Sequence, residues 1–361
     1  MSATICIAGM HRSGTSMITR MLNLCGMDLG APEEMMPASP DNPEGYWEHR
    51  WFTNANNAIL DCFGGAWDIV PDYPAHWQEV EGLLGVKAEA QRHFARFAGK
   101  VWGWKDPRNS ITMAFWRQFA PEMKVVVCLR NPWDVAASLS KRGSASELFG
   151  LRLWWQYNSR LLLETEMADR VVTHYDCYFR DGKAELQRML ERLGMEVSES
   201  GIAQACGTLR VSLRHALTSL RELQAKCPWP ELVRCYCKLL SEAGEVCRAT
   251  VGDWEEVQRL AGQWTPQDCY GTLDWLAIGL GARRQLQVAE NNLVQERKHA
   301  EQLLGEIARQ DQDNRGLATA LQDIQSIQAG IQASISWRVL TRIRVAGMRI
   351  GLLSRAPLDR Q

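Results

Sequence analysis

Gly9-Met10-His11-Arg12-Ser13-Gly14-Thr15-Ser16 decides the fold of this chain. The stretch follows an apolar run, Thr4-Ile5-Cys6-Ile7-Ala8, and leads into Met17-Ile18-Thr19-Arg20-Met21-Leu22. That order reads as strand, tight glycine loop and helix. Backbone N–H groups at such a helix start form an anion site, and the macrodipole favours negative charge there. The Gly-x4-Gly spacing is that of a phosphate-binding loop, but Thr15 stands where a nucleoside triphosphatase carries Lys. The cation is instead Arg12, two residues before the second glycine. Ser13, Gly14, Thr15 and Ser16 offer backbone N–H groups to a phosphate, and the Thr15 and Ser16 hydroxyls add further donors.

A second segment has the same grammar. Val125-Val126-Val127-Cys128-Leu129 is a short continuous apolar run, as expected for a buried strand of a parallel sheet. It ends in Arg130-Asn131-Pro132-Trp133-Asp134, and Ser138 falls on the helix that follows. Arg130 stands at the carboxyl end of its strand, where ligands bind in open α/β sheets. Its planar fork suits bidentate bonding to a phosphate. Further strands are expected at 101–104 and 170–175, and helices at 51–62, 79–98, 134–141, 147–165 and 181–193, the last ended by Gly194. Residues 33–43, rich in Pro, Asp, Asn and Met, read as a loop. Strands alternating with helices imply a parallel sheet covered on both faces.

The two motifs, in this order and each behind a strand, resemble the donor site of the sulfotransferases that use 3′-phosphoadenosine-5′-phosphosulfate (PAPS), in particular the bacterial carbohydrate type. The resemblance covers residues 4 to about 195. It implies an α/β fold of the P-loop NTPase-like kind, a parallel sheet flanked by helices. It implies that Arg12, in the place of the family's usual Lys, contacts the 5′-phosphate and the bridging oxygen. It assigns Arg130 and Ser138 to the 3′-phosphate and Tyr175, at a strand end, to the adenine. A PAPS enzyme needs no metal ion, and none is expected. An Arg cannot readily give up a proton, so Arg12 is expected to stabilise charge.

The acceptor hydroxyl must lose a proton. Carbohydrate sulfotransferases carry a Glu in an aromatic-rich segment comparable with Pro43-Glu44-Gly45-Tyr46-Trp47-Glu48-His49. Glu48, after the Tyr-Trp pair, is the first candidate base, followed by Glu44 and His49. Burial beside Trp47 would raise a carboxylate pKa and make it a better base. The other branch of the family uses a His in a Lys-x-His segment. The comparable stretch here, Lys105-Asp106-Pro107-Arg108, has no His. Lys105 is expected to face the transferring sulfuryl group, Asp106 is a further candidate base, and Arg108 a donor or acceptor contact. Tyr46, Trp47, Trp51, Trp102 and Trp104 would suit sugar stacking.

Composition is compatible with this reading. A formal net charge of −1 over 361 residues provides no basic field for nucleic acid. Eleven Cys with no Cys-x-x-Cys pair read as reduced thiols and a cytoplasmic compartment. Residues 4–8 are too short for a signal peptide and run into a motif. No run of about 18 apolar residues predicts a membrane-spanning helix.

Four segments are expected: an α/β domain at 1–215, a helical extension at 216–284 that includes a helical stretch at 231–247, a coiled coil at 285–333 and a basic amphipathic tail at 334–361. One heptad seam is Leu286, Leu293, Ala300, Ile307, Asn314, Leu321 and Gln328; the other is Ala289, Glu296, Leu303, Gln310, Leu317, Ile324 and Ile331. Such seams predict a homo-oligomer. No acidic residue lies between Asp323 and Asp359, an interval holding Arg338, Arg342, Arg344, Arg349 and Arg355 among apolar residues. This pattern suits a helix lying on an anionic membrane surface, here the inner face. Ser334-Ile335-Ser336-Trp337-Arg338 also resembles the tail of some bacterial surface-polysaccharide enzymes. Transfer of a sulfuryl group to a carbohydrate or glycolipid hydroxyl is the expected function. A P-loop kinase or NTPase, or a coiled-coil membrane adaptor without turnover, are the competing readings.

Overall fold

The computed structural model describes residues 3–37, 45–141, 146–210 and 217–270, and beyond these 293, 295–303, 323–330, 339 and 342–343. Four strands carry the fold: β1 (Ala3–Ala8), β2 (Val101–Lys105), β3 (Lys124–Leu129) and β4 (Arg170–His174). All pair in parallel, in the order β2-β1-β3-β4. β-branched residues dominate β3 and β4, as befits strands covered on both faces.

Side-chain alternation along the strands divides the core into two layers. Cys6, Ala8, Val125, Val127 and Leu129 face one layer. It is filled by α2 (Arg50–Cys62), α4 (Asn109–Arg117), α5 (Pro132–Ser140) and α6 (Glu147–Glu164). Ile5, Ile7, Val126, Cys128 and Val171 face the other, against α1 (Thr15–Leu24), α7 (Cys177–Leu193) and α8 (Glu199–Cys206). α3 (Leu84–Arg96) closes the β2 side of the first layer with Phe94 and Ala90.

Trp102 and Trp104 belong to this first layer. Phe52 stacks on Trp104 at 4.9 Å between ring centroids, Phe97 stacks on Trp102 at 4.6 Å, and Trp51 stacks on His93 at 4.0 Å. These three Trp residues therefore fill core or cover it, and do not form the expected sugar platform.

Beyond β4, α9 (Leu220–Lys226), α10 (Pro230–Leu240), α11 (Gly244–Val251) and α12 (Trp254–Gln263) continue the first layer. The Tyr236 hydroxyl of α10 lies 3.1 Å from His174 Nε2, and Arg170 is held by both carboxylate oxygens of Glu242 at 2.7 Å. The described part of the expected helical extension thus shares the core of the α/β domain. The helical pattern expected across 231–247 breaks where Gly244 adopts φ +82°. The helix expected at 181–193 begins earlier, at Cys177, with a kink at Asp181. That expected at 79–98 starts only at Leu84, after two 3₁₀ turns.

The chain divides into two compact units, Met1–Gln285 and Leu286–Gln361. In the second, residues 295–303 and 323–330 are helical and exposed, Leu303 and Ile324 included. The remaining expected coiled-coil positions, Asn314 among them, and nearly all of the tail lie outside the described residues. No helix among the described residues is long and apolar enough to cross a membrane.

One buried polar network ties α2 and α4 to the sheet. Asn56 of α2 donates to Asn109 Oδ1 at 3.0 Å and accepts from Thr112 Oγ1 at 2.7 Å and Trp116 Nε1 at 3.0 Å. Asn109 in turn accepts from Trp104 Nε1 and donates to the Ile7 carbonyl. Asn56, Asn109 and Thr112 have no exposed surface. Replacing Asn56 by Ala removes its buried hydrogen bonds to Asn109, Thr112 and Trp116 together. The expected loss is about 2–3 kcal/mol of unfolding free energy, read from urea denaturation; an unchanged midpoint would refute this role for the network.

Candidate donor and transfer site

The loop between β1 and α1 is held by backbone geometry that the sequence demands. Gly9 has φ +132°, and a Cβ there would lie 2.4 Å from the Cys128 carbonyl of β3. Its N–H donates to Ser110 Oγ at 2.9 Å, which fixes the loop to the start of α4. Gly14 caps α1 with φ +83°, and a Cβ there would meet the Tyr175 ring at 2.4 Å. Arg12 is left-handed at φ +71°, a conformation costly for a residue with a Cβ and typical of ligand-binding loops.

The parallel sheet brings Arg130 beside this loop. Its guanidinium NH1 donates to the Arg12 carbonyl at 3.1 Å, and the group lies over the Tyr175 ring at 4.6 Å. Trp154 Nε1 bonds the Arg130 carbonyl at 3.0 Å and steadies the strand end. Arg12 Nε donates to Ser138 Oγ at 3.0 Å. Arg12, Arg130, Ser138 and Tyr175, spread over more than 160 residues of sequence, therefore meet at the loop. Tyr175 serves here as the floor under Arg130 and the wall against Gly14.

Among the described residues, three buried polar atoms at this loop have no hydrogen-bond partner: Arg130 Nε, Ser13 Oγ and His11 Nε2. Buried polar groups in folded proteins are normally satisfied. An orphan cation nitrogen and an orphan hydroxyl beside a helix start suit a multiply charged phosphate ester. The residues present fit a donor such as PAPS.

On the other side of the α1 start lies a buried ion pair. Lys105, at the carboxyl end of β2 and 2% exposed, reaches Glu48 Oε1 at 2.6 Å, the Tyr46 carbonyl at 2.9 Å and Ser16 Oγ at 3.2 Å. Ser16 itself donates to the Tyr46 carbonyl at 3.1 Å. The expected base segment is thereby stapled to the expected phosphate loop. Burial pushes the Glu48 pKa above the usual carboxylate value; nearby Asp106 adds to this, and Lys105 and Arg108 oppose it.

The other candidates are placed differently. Asp106 is fully buried, and both its oxygens accept from the Arg108 side chain at 2.8 Å. Arg108 also donates to Asn57. Asp106 thus positions Arg108. His49 caps α2 by accepting from the Trp51 N–H, and its Nε2 lies 3.5 Å from Glu34. Glu44 falls outside the described residues. Among the described residues no group of three His, Cys, Asp or Glu side chains could hold a metal ion.

Sequence reading missed Ser110, Asn109, Asn57 and His11. Ser110 and Asn109 directly follow Lys105-Asp106-Pro107-Arg108, and that adjacency was the available signal. His11 packs on Trp67 at 4.8 Å and Tyr157 at 5.9 Å between ring centroids. Burial, with Arg108 nearby, drives its pKa down to about 3, so its ring stays neutral.

Residues 4–199 match the sequence profile of the sulfotransferase family. The chain belongs to that family. No curated protein matches the chain in sequence. Among solved structures it is similar to the sulfotransferase STF1 of Mycobacterium tuberculosis H37Rv, at 15% identity over 62% of this chain and 76% of that one, with a TM-score of 0.35. The sulfotransferase domain of the Synechococcus PCC 7002 olefin synthase is similar over 73% of this chain and 94% of its own, at 14% identity and a TM-score of 0.38. A retinol dehydratase solved with androsterone and the inactive cofactor PAP covers 75% of this chain and 81% of its own, at 15% identity and a TM-score of 0.29.

Removing one member of the Lys105–Glu48 pair strands the other in a dry site. Glu48→Ala is expected to destabilise this sulfotransferase by about 3–5 kcal/mol. Adding Lys105→Met should restore much of that loss. Urea midpoints for the two single variants and the double variant test this coupling; strict additivity would refute it.

Proposed function

We propose that this sulfotransferase moves the sulfuryl group of PAPS to a hydroxyl of a carbohydrate or glycolipid acceptor. The observation that carries the reading is the convergence of Arg12, Arg130 and Ser138 on the loop before α1, with the Lys105–Glu48 pair at the same helix start. PAPS supplies an activated sulfuryl group whose leaving group is adenosine 3′,5′-bisphosphate (PAP).

The chain's own residues then have distinct tasks. The N–H groups of residues 13–16 and the α1 dipole hold the 5′-phosphate. Arg12 stabilises negative charge at the bridging oxygen. Arg130 and Ser138 bind the 3′-phosphate, and Tyr175 sets the plane of Arg130 beside the adenine region. Lys105 faces the sulfuryl oxygens, and Glu48 takes the acceptor proton. A buried carboxylate with a raised pKa binds that proton more readily than a free one, which suits general-base work near neutrality. Asp106 holds Arg108 at the acceptor side. The work is positioning and electrostatics, as in phosphoryl transfer.

The exposed Leu303 and Ile324, both on the second heptad seam, support self-association of the second unit. The basic tail supports attachment to an anionic membrane at the cytoplasmic face. Deleting 285–361 is expected to change oligomer size or membrane association while donor binding stays. Unchanged mass and distribution would refute both roles.

The deciding experiment is calorimetric titration of PAP without Mg²⁺, beside ATP with Mg²⁺. PAP binding that Arg130→Ala weakens by about 2–5 kcal/mol is the expected result. Binding of ATP alone would favour a kinase, and binding of neither would favour an adaptor. Glu48→Gln should lower turnover and leave PAP affinity nearly intact. In the pH–rate profile the acidic limb should lie above the range of a free Glu. Lys105→Met, which deletes a charge holding that pKa down, should move the limb of the residual activity further up.

A further inference from the structure

The flank of the molecule beside β4 carries a cleft that the transfer chemistry does not use. β4 is the outer strand of the sheet, and Tyr175 follows its carboxyl end. Arg170 opens its other end. There a cleft of about 510 Å³ lies between β4, α7 and the turn from α10 into α11. Met167, Ala168, Val171 and Val172 give it an apolar wall, and Met167 stands 62% exposed.

Two arginines of α7, Arg188 and Arg192, line the cleft one helical turn apart. Arg188 spends Nε and NH2 on Glu185, at 3.0 and 2.7 Å, and NH2 also donates to the Val172 carbonyl at 2.7 Å. Its NH1 has no partner among the described residues. Arg192 is exposed and has neither an ion pair nor a hydrogen bond among the described residues. Arg170 is closed off by both oxygens of Glu242, and Lys238 lies 3.3 Å from that same carboxylate. Four cations thus share two carboxylates, Glu185 and Glu242, and the surplus charge at the cleft is positive. Gly244, at φ +82°, brings the start of α11 against Arg188. A Cβ there would lie 2.6 Å from the Arg188 Cδ, so glycine at this place gives the side chain its room.

We propose that this cleft binds an organic anion with an apolar body, of the class of a medium-chain carboxylate. Its head takes the unspent NH1 of Arg188 and the guanidinium of Arg192, whose planar forks match a carboxylate. Its chain lies on Val171 and Val172 and leaves past Met167, a flexible side chain that adapts to varied apolar partners. A mostly apolar cavity with a few convergent polar groups is the usual form of a small-molecule site. A bare inorganic anion would leave the apolar wall unused, and a neutral lipid would leave two guanidinium groups unanswered. The cleft is separate from the loop after β1 and does not depend on the PAPS reading.

The test is calorimetric titration of the full-length chain with octanoate, beside acetate as the head group alone and octanol as the body alone. Octanoate is expected to bind at one site, about 10-fold or more tightly than either fragment. Arg192→Ala should weaken octanoate by about 10-fold and leave the urea midpoint unchanged, because that side chain is exposed and unpaired. Ala168→Phe, which fills the cleft from an exposed position, should block octanoate. Arg130→Ala should leave octanoate binding as it is. Full octanoate affinity in Arg192→Ala, or no octanoate binding to the unaltered chain, overturns the site. Acetate binding as tightly as octanoate overturns the apolar body, and octanol binding as tightly overturns the anion. Loss of octanoate binding in Arg130→Ala would put the ligand at the donor loop and overturn the cleft. If PAP fails to bind while octanoate binds and Arg192→Ala weakens it, the donor reading fails and the cleft stands.

Discussion

Three parallel strands end side by side, and the site depends on that alignment. Ile7 pairs with Lys105 and Ala8 with Val127, so the loop after β1 lies between the ends of β2 and β3. Residues far apart in sequence thereby share one edge: Arg12 from the loop, Lys105 from β2 and Arg130 just beyond β3. Tyr175, just beyond β4, joins them because Leu129 pairs with His174. The sheet is hydrophobic on both faces, and its carboxyl edge carries the charges of the site. Folding energy comes from the two apolar layers, and the polar groups of the site gather at the carboxyl edge.

Charge on that edge is handled in two ways. The Asp106–Arg108 pair is closed on itself with two parallel hydrogen bonds and a backbone contact from the Arg108 N–H at 2.8 Å. It is a structural element that happens to be ionic. The Lys105–Glu48 pair is more open, because Lys105 also bonds Ser16 and Tyr46, while burial works against the Glu48 charge. A carboxylate whose charge is opposed by its surroundings is ready to accept a proton. Two acidic residues that the sequence offers as candidate bases, Glu48 ahead of Asp106, therefore have different kinds of partner.

Much of this was legible beforehand because it is local. The glycine spacing at Gly9 and Gly14, the valine run before Arg130 and the Gly194 stop each carry their meaning within about ten residues. What was illegible is tertiary. Nothing in Trp102 or Trp104 distinguishes a stacked core ring from a sugar platform until Phe52 and Phe97 are seen against them. Asn56 and Asn57 sit in a run that reads as solvent-facing. Only the approach of α4 makes one of them a buried hub and gives the other the Arg108 guanidinium. The helix pattern at 231–247 hid a break because Gly244 interrupts it without changing its apolar periodicity.

The contact of Gly9 with the Cys128 carbonyl has a consequence for the thermodynamics of ligand capture. With no room for even a methyl group between them, β1 and β3 cannot slide, and the turn that follows inherits a fixed starting direction. The Ser110 hydroxyl on its N–H removes the remaining freedom. The anion cradle is therefore shaped by the sheet before any ligand arrives. Little backbone entropy would remain to be lost on capture of the phosphate proposed for this loop.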